Sequence, residues 1–243
     1  MRTANPALNA KTFIGFGQLA DATNTMTIQG TTNKAALLLL LVLIPASWTW
    51  GLPYESVMPW MFAGAIGGFI VALVTVFKKT WSPATAPIYA LLEGLFLGGI
   101  SSIFEAQFPG IVISAVGLTF GTLFCLLLAY KSGLIKATEN FKLGLVAATG
   151  GIAMIYLATI LLGLFGLRIP YIHEAGIIGI GFSLVVVVVA ALNLVLDFDF
   201  IESGAAKGAP KYMEWYAAFG LMVTLIWLYL EILRLLSKLR SRR

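Results

Sequence analysis

Charged side chains are few in this chain. Only 11% of its 243 residues are Asp, Glu, Lys or Arg, against about 25% in an ordinary soluble domain. So little charge cannot cover a water-facing surface, which excludes a soluble globular protein and makes lipid the solvent for most of the exterior. Histidine and cysteine are scarcer still, at one each. The lone Cys125 lies inside an apolar run, so no intrachain disulfide forms. No Cys/His metal spacing, no Gly-x-Ser-x-Gly and no phosphate-cradling glycine loop is present. An intramembrane aspartyl protease needs Gly-x-Gly-Asp, which occurs nowhere. The Pro-Ala-Leu of residues 6–8 stands in the polar start rather than near a second acid. The reading is therefore of a non-enzyme without a cofactor. A cleavable leader is not expected either, because the first long apolar run begins only after Lys34.

What the chain has is apolar length. Apolar residues make up 59% of it, with a mean hydropathy of +0.92. A helix needs about 20 such residues to cross the hydrocarbon core. Seven segments qualify, at residues 35–52, 59–77, 84–104, 110–130, 143–167, 175–200 and 215–236. Their stops are chemical: Pro53, the pair Lys78-Lys79, Lys131, and Arg168 with Pro170. The fold class is all-α, a polytopic transmembrane bundle. A polar tail occupies 1–33, the seven-helix domain 34–237 and a basic tail 238–243. Gly64, Gly67 and Gly68, then Gly94, Gly98 and Gly99, and Gly176, Gly179 and Gly181 recur within three segments. Such small residues let helix backbones approach closely, although glycine is also simply common in membrane helices. Trp48, Trp50, Trp60 and Trp81 fall near segment ends, where an aromatic belt accounts for them.

Lys and Arg set an orientation. With seven crossings, the side of the N-terminus collects ten of them and the other side six, five of which lie between Arg234 and Arg243. The N-terminus is thus expected in the cytoplasm, with the basic end outside. If one segment is re-entrant, both ends are cytoplasmic and the bias is stronger. The net charge of +5 sits between and beyond the segments, which fits lipid headgroups and not nucleic acid.

Ionisable groups inside a membrane are costly and mark function. Asp197 and Asp199 close segment 6, Glu231 lies deep in segment 7, and Glu93 stands near the middle of segment 3. Carboxylates are hard oxygen ligands suited to a cation path. Two acids in one low-dielectric site do not both ionise cheaply, so a pair shares a proton. Asp197 with Glu231 is the pair expected to act as cation site, pH sensor and gate, with Asp199 and Glu93 as further steps of a path. Each has a blander reading. The two aspartates can be interfacial acids at a helix end, and Glu231 can simply pair with Arg234 at i+3. Glu93, with no base at i±3 or i±4, would need to be neutral and hydrogen-bonded. The lone His173 reads as an ordinary loop residue.

Several stretches together resemble the Bax inhibitor-1 family, specifically its bacterial YccA-like branch. They are Arg2-Thr3-Ala4-Asn5-Pro6-Ala7-Leu8, Thr25-Met26-Thr27-Ile28-Gln29-Gly30-Thr31, Glu93-Gly94-Leu95-Phe96-Leu97-Gly98, Leu196-Asp197-Phe198-Asp199, and Lys211-Tyr212-Met213-Glu214-Trp215-Tyr216 leading into Leu228-Tyr229-Leu230-Glu231. The resemblance runs through the whole chain in order. It implies seven helices with the last surrounded by the others, in a bacterial inner (plasma) membrane. It also implies a pH-sensitive Ca²⁺ leak gated by two acids on the last two helices. By position these are Asp197 and Glu231, which would then be the groups that meet Ca²⁺ and H⁺. Two departures stand out: the second acid is Glu rather than Asp, and residues 204–210 lengthen the stretch between them.

Two functions of different class follow. One is a passive, proton-regulated cation leak. The other is a non-transporting regulator that binds a membrane protease or another stress-response membrane partner, with residues 1–33 as its handle. A secondary transporter is weakened because no inverted repeat is evident.

Overall fold

The computed structural model describes residues 24–166 and 176–242. Among these residues it forms seven α-helices and no strand: α1 (Ile28–Trp50), α2 (Tyr54–Phe77), α3 (Ser82–Gln107), α4 (Ile111–Lys131), α5 (Glu139–Leu164), α6 (Ile177–Ala206) and α7 (Met213–Ser241). The shortest, α4, has 21 residues, which at ~1.5 Å per residue covers ~31 Å and matches the hydrocarbon thickness of a bilayer. All seven are apolar enough to cross a membrane. Residues such as Leu40, Phe69, Phe124 and Ile160 stand exposed on their outer faces, where hydrocarbon rather than water suits them. The start of the N-terminal tail and His173 with its loop lie outside the described residues.

Helix ends differ from the apolar runs for local reasons. α1 begins two turns before residue 35 because Thr27 caps it: its Oγ1 accepts from Gly30 N at 2.9 Å. Residues 28–33, expected as tail, are therefore helix. α6 continues six residues past 200 before Gly208, at φ 63°, turns the chain. α7 runs unbroken to Ser241, so Lys238, expected as the start of a free basic tail, belongs to the helix.

The described residues form two compact units. In one, residues 24–109 with Asp199–Val223, α3 packs against both α1 and α2. Gly94 and Gly98 are what allow this: a Cβ on Gly94 would meet the Val42 carbonyl and the Pro45 ring, and one on Gly98 would meet Ala46 and Thr49. The small-residue spacing of α3 is thus a packing seam. Gly176 and Gly181 face open space, so in segment 6 the blander reading of glycine holds at these two positions.

The other unit, Gly110–Phe198 with Thr224–Arg243, holds α4, α5, most of α6 and the later part of α7. Its core gathers Leu145 and Ile152 of α5 with Val186, Val189 and Leu196 of α6, and Trp227 of α7 packs on it. On α6 the buried positions Ser183, Val186, Ala190, Asn193 and Asp197 recur every three or four residues, one face of a helix. α7 is the most enclosed helix, with half of its most apolar stretch buried against 39% for α3.

Candidate functional site

Glu231 lies eighteen residues into α7 and is 1% exposed. A buried carboxylate must be paired or hydrogen-bonded, and this one is. Its Oε1 accepts from the Tyr156 hydroxyl of α5 at 2.8 Å and from Arg234 Nη1 at 2.9 Å, and its Oε2 from the same Nη1 at 3.1 Å. Arg234 also donates to the Tyr156 oxygen at 2.7 Å, and its guanidinium stands 5.2 Å from the Tyr156 ring centre. The i+3 pair read from spacing is present, but it is one edge of a triangle whose third corner comes from another helix. Arg234 is 40% exposed along its side chain, so the cation is partly open while the acid is enclosed.

Asp197 closes the buried stripe of α6 and is itself 1% exposed. The level it shares with α7 follows from Lys238. That side chain is buried and donates to Gly179 O at 3.0 Å and to Ser183 Oγ at 2.9 Å, which puts position 238 opposite the stretch 179–183. The helices are joined by residues 207–212 alone, so they run antiparallel. Seven residues before Lys238, Glu231 falls level with about position 188. Asp197 lies nine residues further along α6, a separation of ~13 Å at 1.5 Å per residue. Trp227 packing on the core that includes Leu196 and Val189 fits this register. The two acids occupy one unit and the same pair of helices, at different levels.

Asp199 is two residues from Asp197, about 200° around the helix, so the two aspartates point to opposite sides. Asp199 is half-buried and falls in the unit of α1–α3. Glu93 falls there too: it hydrogen-bonds with Tyr89 one turn earlier and lies over Gly68 of α2. Among the described residues no three His, Cys, Asp or Glu side chains gather as a metal site would require.

Sequence reasoning missed a heavily bonded acid. Glu214, in the first turn of α7, is fully buried. It accepts from Thr27 N at 2.9 Å, Thr27 Oγ1 at 2.8 Å and Lys211 Nζ at 2.9 Å, and it also pairs with Lys34. A Cβ on Gly30 would run into its carboxylate. Two backbone bonds add to this staple, Met26 N to Ala209 O at 2.6 Å and Lys211 N to Asn24 O at 2.9 Å. The signal was an acid one turn after a lysine at a helix start; the partners 180 and 187 positions away gave none. Just before it, burial raises the Tyr212 phenol above its ordinary range. Tyr156, Asn193 and Lys238 were also missed, each being a single polar residue among apolar ones or in a supposed tail.

A search of curated proteins finds no match to the chain. The family model described as Bax inhibitor 1 like matches residues 5–241, nearly the whole length, and the chain belongs to that family.

Proposed function

We propose that this protein is a passive, proton-regulated cation leak carrying Ca²⁺, with Glu231 as the group that reads pH and Asp197 as a second acid along the path. The observation that carries the reading is the enclosed Glu231 carboxylate, held by Tyr156 from α5 and Arg234 from its own helix. Family membership supports it, since Bax inhibitor-like proteins are associated with Ca²⁺ flux. Ionised, Glu231 takes both donors and ties α5 to α7. Protonated, it no longer offers Arg234 a charge, and charge-assisted bonds are about twice as strong as neutral ones. The tie weakens, and a hard anionic ligand for Ca²⁺ disappears in the same step. The groups facing Glu231 are Arg234 and, one turn on, Lys238 of α7, with Tyr156 of α5.

The register changes the form of this mechanism. Acids ~13 Å apart lie beyond hydrogen-bonding reach and act in succession, not as one proton-sharing pair. We also propose a bacterial plasma membrane as the site and a cytoplasmic N-terminus, so that the lysines of the N-terminal side would meet anionic lipid.

The test is flux into vesicles loaded with a Ca²⁺ dye, titrated in pH. Protein-dependent flux that varies with pH in the wild type and loses that variation in Glu231→Gln supports the reading. A flux indifferent to pH and to Asp197→Asn with Glu231→Gln removes it.

A further inference from the structure

Between the levels of Asp197 and Glu231 the buried stripe of α6 carries one further polar side chain. Asn193, 3% exposed, stands one turn before Asp197, ~6 Å along the axis. Its Nδ2 donates to the Val189 carbonyl at 2.8 Å and to Thr149 Oγ1 of α5 at 3.0 Å. An amide nitrogen has two hydrogens, so both donors are engaged and the amide is held in one orientation, its Oδ1 remaining as an acceptor. Thr149 Oγ1 has a second lone pair beyond the one it uses. By the register from Lys238, Asn193 lies between the acids, five residues or ~7 Å from the level of Glu231. The rest of that interval is lined by Ala190 and Val189.

We infer that Asn193 Oδ1 and Thr149 Oγ1 form a neutral oxygen station that a Ca²⁺ ion meets between Asp197 and Glu231; this rests on the cation-leak reading. Ca²⁺ takes six to eight oxygens and accepts amide carbonyls and water alongside carboxylates. Without the station, a divalent ion would cross the whole interval past Ala and Val, which offer nothing in exchange for its hydration. Neutral oxygens also bind weakly enough to let the ion leave, as conduction requires. The competing role is helix glue, since polar pairs commonly join membrane helices. Glue would not affect which ion passes; a station would.

The deciding experiment compares wild type, Asn193→Leu, Asn193→Asp and Thr149→Val in vesicles carrying Ca²⁺ and Na⁺ dyes, with size exclusion and thermal unfolding as controls of folding. Asn193→Leu is expected to lower Ca²⁺ flux by about tenfold or more, the scale of one lost ligand, and Thr149→Val by less. Asn193→Asp, which keeps an oxygen and adds charge, is expected to restore Ca²⁺ flux and to raise the Ca²⁺ to Na⁺ ratio above wild type. Folded Asn193→Leu with wild-type flux, or Asn193→Asp with an unchanged ratio, assigns the pair to glue and overturns the station. Should Asn193→Leu fail to fold, the ratio in Asn193→Asp decides alone. Wild type without protein-dependent flux overturns the leak and the station together. Flux that responds to Asp197→Asn and Glu231→Gln but not to either Asn193 variant overturns the station only.

Discussion

The Tyr156 hydroxyl donates to Glu231 Oε1 at 2.8 Å and accepts from Arg234 Nη1 at 2.7 Å. One hydroxyl thus uses both of its capacities on an acid and a base that also bind each other. Removing any corner leaves the other two imperfectly satisfied, and for buried polar groups the unsatisfied remainder costs more than the bond contributed. The triangle also links α5 to α7 through side chains, so its state bears on how those helices are held.

Tyr156→Phe is expected to lower stability by about 1 kcal/mol and Glu231→Gln by roughly 1.5–3 kcal/mol, the ranges for neutral and charge-assisted bonds. The double variant should cost less than the two together, because the residues share a bond. Thermal unfolding in detergent, run as a double-mutant cycle, measures this.

Glutamine at 231 imitates the protonated acid. Glu231→Gln assayed at neutral pH is therefore expected to reproduce the flux of the wild type at acid pH, and to stay level as pH changes. A pH-flux curve for the two proteins checks both statements.

The two aspartates of α6 should separate cleanly in function. Asp197 lies on the buried stripe that continues through Asn193, and Asp199 points to the other side of the helix. Asp197→Asn is expected to reduce Ca²⁺ flux, while Asp199→Asn leaves it within about twofold, a difference under 1 kcal/mol. The same vesicle assay reads both.

The Glu214 staple is expected to matter for stability. Glu214→Gln leaves Lys34 and Lys211 without their anion and should cost about 3 kcal/mol, as breaking a buried charge cluster does. Gly30→Ala puts a methyl group against the same carboxylate and should cost about 1–3 kcal/mol. Both should lower the unfolding temperature with the Ca²⁺ to Na⁺ flux ratio unchanged.

The seven spans were legible because length and apolarity are local properties, and lipid demands little else of a helix. Their ends were less so. α1 starts at Thr27 because a hydroxyl caps it and a distant glutamate holds the cap, and neither partner announces itself in an apolar count. Of the candidate site, Glu231 and its i+3 arginine could be read from spacing alone. Tyr156 could not, since a tyrosine in an apolar run looks like any other aromatic. The level of the acids was hidden for a different reason. It depends on how far α6 continues past Asp197, and Gly204 with Lys207 made those last turns look like loop.

The glycines of α3 bear on motion. Where Gly94 meets the Val42 carbonyl and Gly98 meets Ala46, two main chains touch with no side chain between them. Interposed side chains act as bearings, turning through rotamers while the helices slide; bare backbones interlock. α1 and α3 are therefore expected to travel as one plank. On the leak reading, the helices expected to shift are those joined through side chains, as α5 and α7 are at Tyr156.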